Sequence, residues 1–143
     1  MDQIRGRVLA LDFGSRRIGV AISDLLGITA QQLPAIRREG DRKDIEAIAV
    51  VAREYGVETV VIGLPLLPDG MEGVQAAKAR GFALKIHECL GLPVVPWDER
   101  FTTAQAERHL IESGVRREKR KEIRDSLAAA LLLQSVLDAR NRK

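Results

Sequence analysis

Val8-Leu9-Ala10-Leu11-Asp12-Phe13-Gly14 and Ile18-Gly19-Val20-Ala21-Ile22, separated only by Ser15-Arg16-Arg17, decide the fold of this chain. Each apolar run has the length and make-up of a buried strand. A connection this short, built around Gly14, returns the chain beside itself in the antiparallel sense. The first run closes on an acid, Asp12, set between Leu11 and Phe13. Taken alone, that carboxylate reads equally as a side chain capping the hairpin turn and as a metal ligand.

Working outward, Ile28 to Leu33 is expected to add a third strand that stops before Pro34. From Asp41, an N-cap by residue type, Ile45, Ile48, Ala49, Val51 and Ala52 recur at helical spacing as far as Tyr55. Thr59-Val60-Val61-Ile62 is the next strand, ending in Gly63-Leu64-Pro65. The Gly/Pro-rich stretch from Gly63 to Gly73 leads into a helix, with Asp69 and Glu72 at capping-box spacing. Val94-Val95-Pro96-Trp97 follows as a strand, so Val57 to Trp97 reads as a β-α-β unit with parallel strands. Thr102 and Gln105 have the spacing to start a short helix to Glu112, and Ile123 to Arg140 is a final helix. An antiparallel hairpin in front and a parallel crossover behind predict an α/β domain, a mixed central sheet flanked by helices. The 143 residues are expected to form this one domain.

Composition narrows the possible chemistry. The 45% hydrophobic and 30% charged fractions are those of a soluble globular protein. One cysteine, Cys89, excludes an intrachain disulfide and is expected to be a small buried hydrophobe. His87 and His109 stand apart with no Cys or His cluster, which argues against zinc. The longest apolar run, Leu127 to Leu133, is too short to span a bilayer, and Met1 to Arg5 has no signal-peptide core. The expected location is cytoplasmic, with no membrane association. None of the serines sits in an evident Ser/His/acid arrangement, so a triad hydrolase is set aside.

The acids in apolar settings carry more information. Asp98-Glu99 closes the last strand as Asp12 closes the first, although an isolated Glu99 also reads as a surface acid paired with Arg100. Asp125 lies early in the final helix, and its partners three, four and seven residues on are Ala128, Ala129 and Leu132. All three are apolar, so position 125 is expected to face packed structure; a dipole-stabilised cap is the competing reading. Parallel strands end on one sheet edge, where open α/β sheets place their sites. If the first strand runs in the same sense beside them, Asp12 and Glu99 share that edge, and a helix crossing it delivers Asp125. Three oxygen donors without His or Cys call for a hard cation, Mg²⁺ or Mn²⁺. Two such ions would neutralise the trio and suit phosphodiester hydrolysis.

Charge distribution points to a polyanion. Across 113–124, Arg116, Arg117, Lys119, Arg120, Lys121 and Arg124 face only Glu118 and Glu122, a local excess of four cations against +3 for the whole chain. This segment is expected to be a mobile arm gripping a nucleic-acid backbone. Arg16 and Arg17, in the hairpin beside Asp12, are expected to hold phosphate, and Arg100 to add to the same surface. With one Trp, one Tyr and three Phe there is little aromatic surface for stacking bases, so backbone and shape recognition is expected. Trp97 and Phe101 are expected in the core, and His109 on the surface.

Four stretches together are similar to one family. Asp12-Phe13-Gly14-Ser15-Arg16-Arg17-Ile18-Gly19-Val20-Ala21 resembles the opening motif of the YqgF (RuvX) family, and Gly63-Leu64-Pro65-Leu66 with Asp69-Gly70 and Glu72-Gly73 its central loop. Asp98-Glu99-Arg100-Phe101-Thr102-Thr103 resembles its third motif, and Lys119-Arg120-Lys121 with Asp125-Ser126-Leu127-Ala128-Ala129 its fourth. The resemblance runs from Arg5 to about Asp138. It implies an RNase H-like fold with metal-binding acids at Asp12, Glu99 and Asp125. The implied activity is a nuclease processing the 5′ end of pre-16S ribosomal RNA in ribosome biogenesis. Relatives tied to DNA junctions and recombination make a Holliday junction resolvase-like DNA nuclease the alternative. The sequence departs from the family pattern at Leu67, where Asn is common, and at Arg124, where an apolar residue is common.

Two other functional classes share features of this sequence. Asp-x-Gly at a hairpin is also the first phosphate motif of actin-like and sugar-kinase-like phosphotransferases, but those clamp ATP between two such domains, and one domain lacks the second wall. A non-catalytic nucleic-acid-binding factor keeping the fold is the other, against which the retained acids speak. Monomer and homodimer are both open, the latter because junction-like substrates have two-fold character.

Overall fold

The computed structural model describes residues 4–98 and 117–142, with side chains in the second segment from 127 onward. Strands β1 (Val8–Phe13), β2 (Arg17–Ser23) and β3 (Ala30–Arg37) come first, then helix α1 (Asp41–Tyr55) and strand β4 (Thr59–Leu64). Helix α2 (Val74–Leu90), strand β5 (Val94–Asp98) and helix α3 (Arg117–Asn141) complete the described elements. The five strands form one sheet in the order β3-β2-β1-β4-β5. β1 pairs antiparallel with β2 and parallel with β4, and β4 pairs parallel with β5, so the mixed sheet is as expected.

Strand alternation divides the core in two. Leu9, Leu11, Ile18, Val20, Ile22, Val60 and Ile62 face α1 and α2, where Ile45, Ile48, Phe82 and Ile86 meet them. Val8, Ala10, Ala21 and Val61 face the other way, onto Ala129, Leu132, Leu133, Val136 and Leu137 of α3. β1 is covered on both faces, which is why it reads as a continuous apolar run. Buried polar atoms at its start are satisfied: Val8 donates its N–H to Ser23 Oγ at 2.9 Å, and Arg5 N–H donates to Thr59 Oγ1 at 3.1 Å.

Several sequence expectations are corrected. The third strand does not stop before Pro34 but runs to Arg37. Pro34 is tolerated because β3 is an edge strand and because the β2–β3 register shifts at this point. Helix α1 is capped by Gly40, and the Asp41 carboxylate is taken up by Arg38 and Lys85. Helix α2 begins at Val74 with Gly73 as N-cap and no side-chain cap. The capping-box acids are used elsewhere: Asp69 accepts from Met71 N–H within the loop, and Glu72 pairs with Arg80 at 2.6 Å. Cys89 is exposed, because the buried stripe of α2 runs through Ala79, Phe82 and Ile86 and continues to Leu90.

The last helix starts at Arg117, six residues before the expected Ile123. Arg, Lys and Glu are strong helix formers, and the basic stretch from 117 onward is part of the helix. The expected helix from Thr102 to Glu112, with Phe101 and His109, lies outside the described residues. No helix among the described residues is long and apolar enough to cross a membrane.

Leu132 is fully buried between α3 and the sheet. Leu132→Ala should cost about 3 kcal/mol. Urea denaturation should show a lowered midpoint with an unchanged slope.

Candidate functional site

Because β1, β4 and β5 are parallel, their C-terminal ends share one edge of the sheet. Asp12 lies one residue past the Leu11–Ile62 pair, Gly63 is partnered with Trp97, and Leu64 with Asp98. The chain beyond Asp98 is Glu99. The first strand therefore does run in the same sense beside the parallel pair.

Alternation sets the face as well. Leu11 packs towards α1 and α2 while Ala10 packs towards α3, which puts Asp12 on the α3 face. Its cross-strand partner on β2 is Gly19, and the residue level with it on β4 is Gly63. Both glycines are buried and Asp12 is half-buried. The row Gly19–Asp12–Gly63 thus carries a single carboxylate with no Cβ on either side. In the sequence these glycines are plain strand and loop residues; their meaning depends on cross-strand register, which a single strand does not display.

Helix α3 is pinned at its far end. Arg140 donates to Gly6 O at 3.0 Å, Asn141 Nδ2 to Gly27 O at 2.9 Å, and Gln134 accepts from Ala30 N–H at 3.0 Å. These partners lie at the N-terminal end of β1 and the adjoining β2–β3 turn, so α3 runs back towards the edge that carries Asp12. From Arg140 to position 125 the helix rises roughly 22 Å, and from Gly6 to Asp12 the strand covers roughly 20 Å. Position 125 is therefore about level with Asp12. It sits one turn before Ala129, which is buried against the sheet with Ala128 and Leu132.

Glu99, Arg100 and Arg116 lie outside the described residues. Arg117, Lys119, Arg120, Lys121 and Asp125 are placed on the α3 backbone without their side chains. Among the described side chains, no three His, Cys, Asp or Glu gather to hold a metal ion. Arg16 and Arg17 line an open depression of about 370 Å³ with Ala35 and Arg37. Trp97 is half-buried and packs on the α3-side core.

The hairpin that carries Asp12 is held at Gly14 and by Arg38, of which the sequence singled out only the glycine. Gly14 N–H donates to Arg17 O at 3.0 Å, and a Cβ at Gly14 would stand 2.6 Å from that oxygen, so only glycine fits the turn. Arg38 anchors this turn to α1. Its Nη1 donates to Gly14 O at 3.1 Å, its Nε to Asp44 at 2.6 Å and its Nη2 to Asp41 at 2.8 Å. The guanidinium also stacks over Phe13 at 4.5 Å, and Phe13 packs on Phe82 at 4.6 Å. Asp44 is only 1% exposed, so Arg38 is the cation that makes its burial tolerable. The Lys85 ammonium, with Arg38 beside it, holds the Asp41 carboxyl below the usual carboxylate range. Since that native pKa is lowered, the stabilisation is present above the unfolded value and lost as pH falls through the native one.

A family model described as "RuvX: Holliday junction resolvase" matches residues 6–139. A protein of Syntrophus aciditrophicus named "Putative pre-16S rRNA nuclease" is 50% identical over 133 residues, covering 93% of this chain and 89% of its own. One of the same name from Thermoanaerobacter pseudethanolicus is 44% identical over 138 residues, covering 96% and 99%. Among solved structures, Thermus thermophilus RuvC in complex with a Holliday junction substrate superposes with a TM-score of 0.54 at 18% identity, covering 95% of this chain and 96% of its own. The fowlpox virus resolvase with its Holliday junction DNA gives 0.57 at 14%, covering 95% and 99%. At these identities the likeness is one of fold, and the fold is RNase H-like.

Arg38→Met keeps the stem over Phe13 but leaves Asp44 without its cation. It should destabilise the protein by about 3 kcal/mol. In hydrogen exchange, the Gly14 amide should lose protection more than amides of the central strands.

Proposed function

The chain belongs to the RuvX (Holliday junction resolvase) family, and on that premise we propose that it is a divalent-metal-dependent nuclease that processes the 5′ end of pre-16S ribosomal RNA. The observation that carries this reading is the position of Asp12. It is the carboxylate between Gly19 and Gly63, at the sheet edge where β5 leads into Glu99 and level with position 125 of α3. Carboxylates brought to that edge would offer oxygen donors only, which suits a hard cation. Asp12, Glu99 and Asp125 would hold Mg²⁺ or Mn²⁺, two ions in all. When bound, such a pair supplies Lewis-acid stabilisation of the attacking and leaving oxygens of a phosphodiester.

The chain's own residues do the rest. The Arg38–Asp44 anchor fixes the hairpin so that Asp12 is presented in one orientation, in keeping with the precision that ligand sets require. Arg16 and Arg17 from the hairpin, Arg100 after Glu99, and Arg116, Arg117, Lys119, Arg120 and Lys121 leading into and along α3 supply cations for the nucleic-acid backbone. The two relatives above, matched over at least 89% of their own length, favour ribosomal RNA as the substrate. A four-way DNA junction is the comparison substrate, because the family's description names that activity.

Asp12→Asn tests the centre. Cleavage of a pre-16S RNA fragment should fall by at least a hundredfold, and EDTA should abolish wild-type cleavage, while RNA binding persists. Equal cleavage by wild type and variant would displace the site from Asp12. Preference for the junction over the RNA would reassign the substrate to DNA.

A further inference from the structure

Arg37 was not a candidate on sequence grounds, yet the β2–β3 register brings it to the hairpin arginines. Between Val20↔Leu33 and Ile18↔Ile36 the pairing shifts by one residue, so Pro34 and Ala35 together oppose Gly19. This is a β-bulge, a device that re-aims side chains and recurs beside active sites. Its effect here is specific. Ile36 turns inward with Ile18 on the α1/α2 side, which leaves Arg17 and Arg37 as direct cross-strand partners on the opposite face. Without the extra residue, Arg17 would face Ile36, and Arg37 would lie past the end of the pairing.

Two arginines directly opposite in an antiparallel pair repel each other, and Arg16 adds a third cation at the rim of the same depression. No carboxylate pairs with any of the three among the described residues. The arrangement is held from behind: Arg38 N–H donates to Arg16 O at 2.8 Å, tying the end of β3 to the turn. A repulsive cluster on a braced frame has the character of an anion site, in which the bound anion supplies the missing countercharge.

The face also matters. Arg17 lies two residues from Gly19 on the face that carries Asp12, so the cluster is set roughly 8 Å from that acid by strand spacing. That is on the order of the separation of neighbouring phosphates along one strand, which exceeds the axial rise of about 3.4 Å per nucleotide. We infer that Arg16, Arg17 and Arg37 form a single phosphate clamp for the nucleic-acid strand, holding a backbone phosphate next to the one presented at Asp12. The inference rests on the nuclease reading for the identity of its ligand. The clamp would give no base preference and would set which bond is delivered to the carboxylates.

Binding of a labelled RNA hairpin, measured by anisotropy in EDTA so that no turnover is required, tests the clamp apart from catalysis. Arg37→Ala and Arg17→Ala should each weaken binding about tenfold. Each should also make the salt dependence shallower by about one ion. Arg42→Ala, which removes a cation 93% exposed on α1, should leave both unchanged. Because two arginines on one phosphate act together, the double variant Arg17→Ala/Arg37→Ala should lose less than the product of the single losses. Arg37→Ala binding within twofold of wild type with an unchanged slope would overturn the clamp. Losses that multiply fully would replace it with two separate contacts. Neither result bears on cleavage by the wild type, which decides the nuclease reading independently.

Discussion

β1 is constrained from every side, and the arrangement of the protein follows from how those constraints are met. It donates and accepts along both edges, antiparallel to β2 and parallel to β4. Its alternate residues are sealed under α1 and α2 on one face and under α3 on the other. A strand paired and covered in this way has one place where a charge can be carried without a large desolvation cost, its end. Asp12 occupies that end. The parallel relation to β4 and β5 brings their ends to the same edge, and the antiparallel return to β2 puts the arginine-bearing turn beside it. The apparent site is thus a consequence of strand direction as much as of any one residue.

What was legible in the sequence is what depends on local periodicity. The hairpin, the α1 stripe and the β4–α2–β5 crossover follow from spacing that each segment carries within itself. Ala128, Ala129 and Leu132 are buried together on one stripe of α3, as their helical spacing requires; the side chain of Asp125 lies outside the described ones. The stop at Pro34 failed because proline punctuation is a local rule, whereas an edge strand with a bulge can absorb the missing N–H. Asp41, Asp69 and Glu72 misled for a related reason. Each has cap chemistry, and each is claimed by a cation or a loop amide closer at hand.

Register was the information the sequence did not display. Gly19 and Gly63 acquire meaning only as the two neighbours of Asp12 in one row, and Arg37 only as the partner of Arg17 across a bulge. Arg37 and Arg38 are adjacent in the chain and identical in chemistry, but the pleat sends them to opposite faces. Arg38 neutralises the buried Asp44 and braces the turn, while Arg37 joins an exposed cluster without a counterion among the described residues. No composition argument separates two consecutive arginines in this way.

The prolines at the margins have a further consequence. Pro34 lies in β3 and Pro96 in β5, the two outer strands of the sheet. Each removes one N–H from a row that another chain would need for strand addition. The bulge at Pro34 also twists its margin away from flat pairing. A twisted five-stranded sheet with both margins interrupted is a poor template for cross-β growth. The same proline that interrupts β3 near the arginine cluster therefore also guards the chain against fusing edge to edge with its own copies.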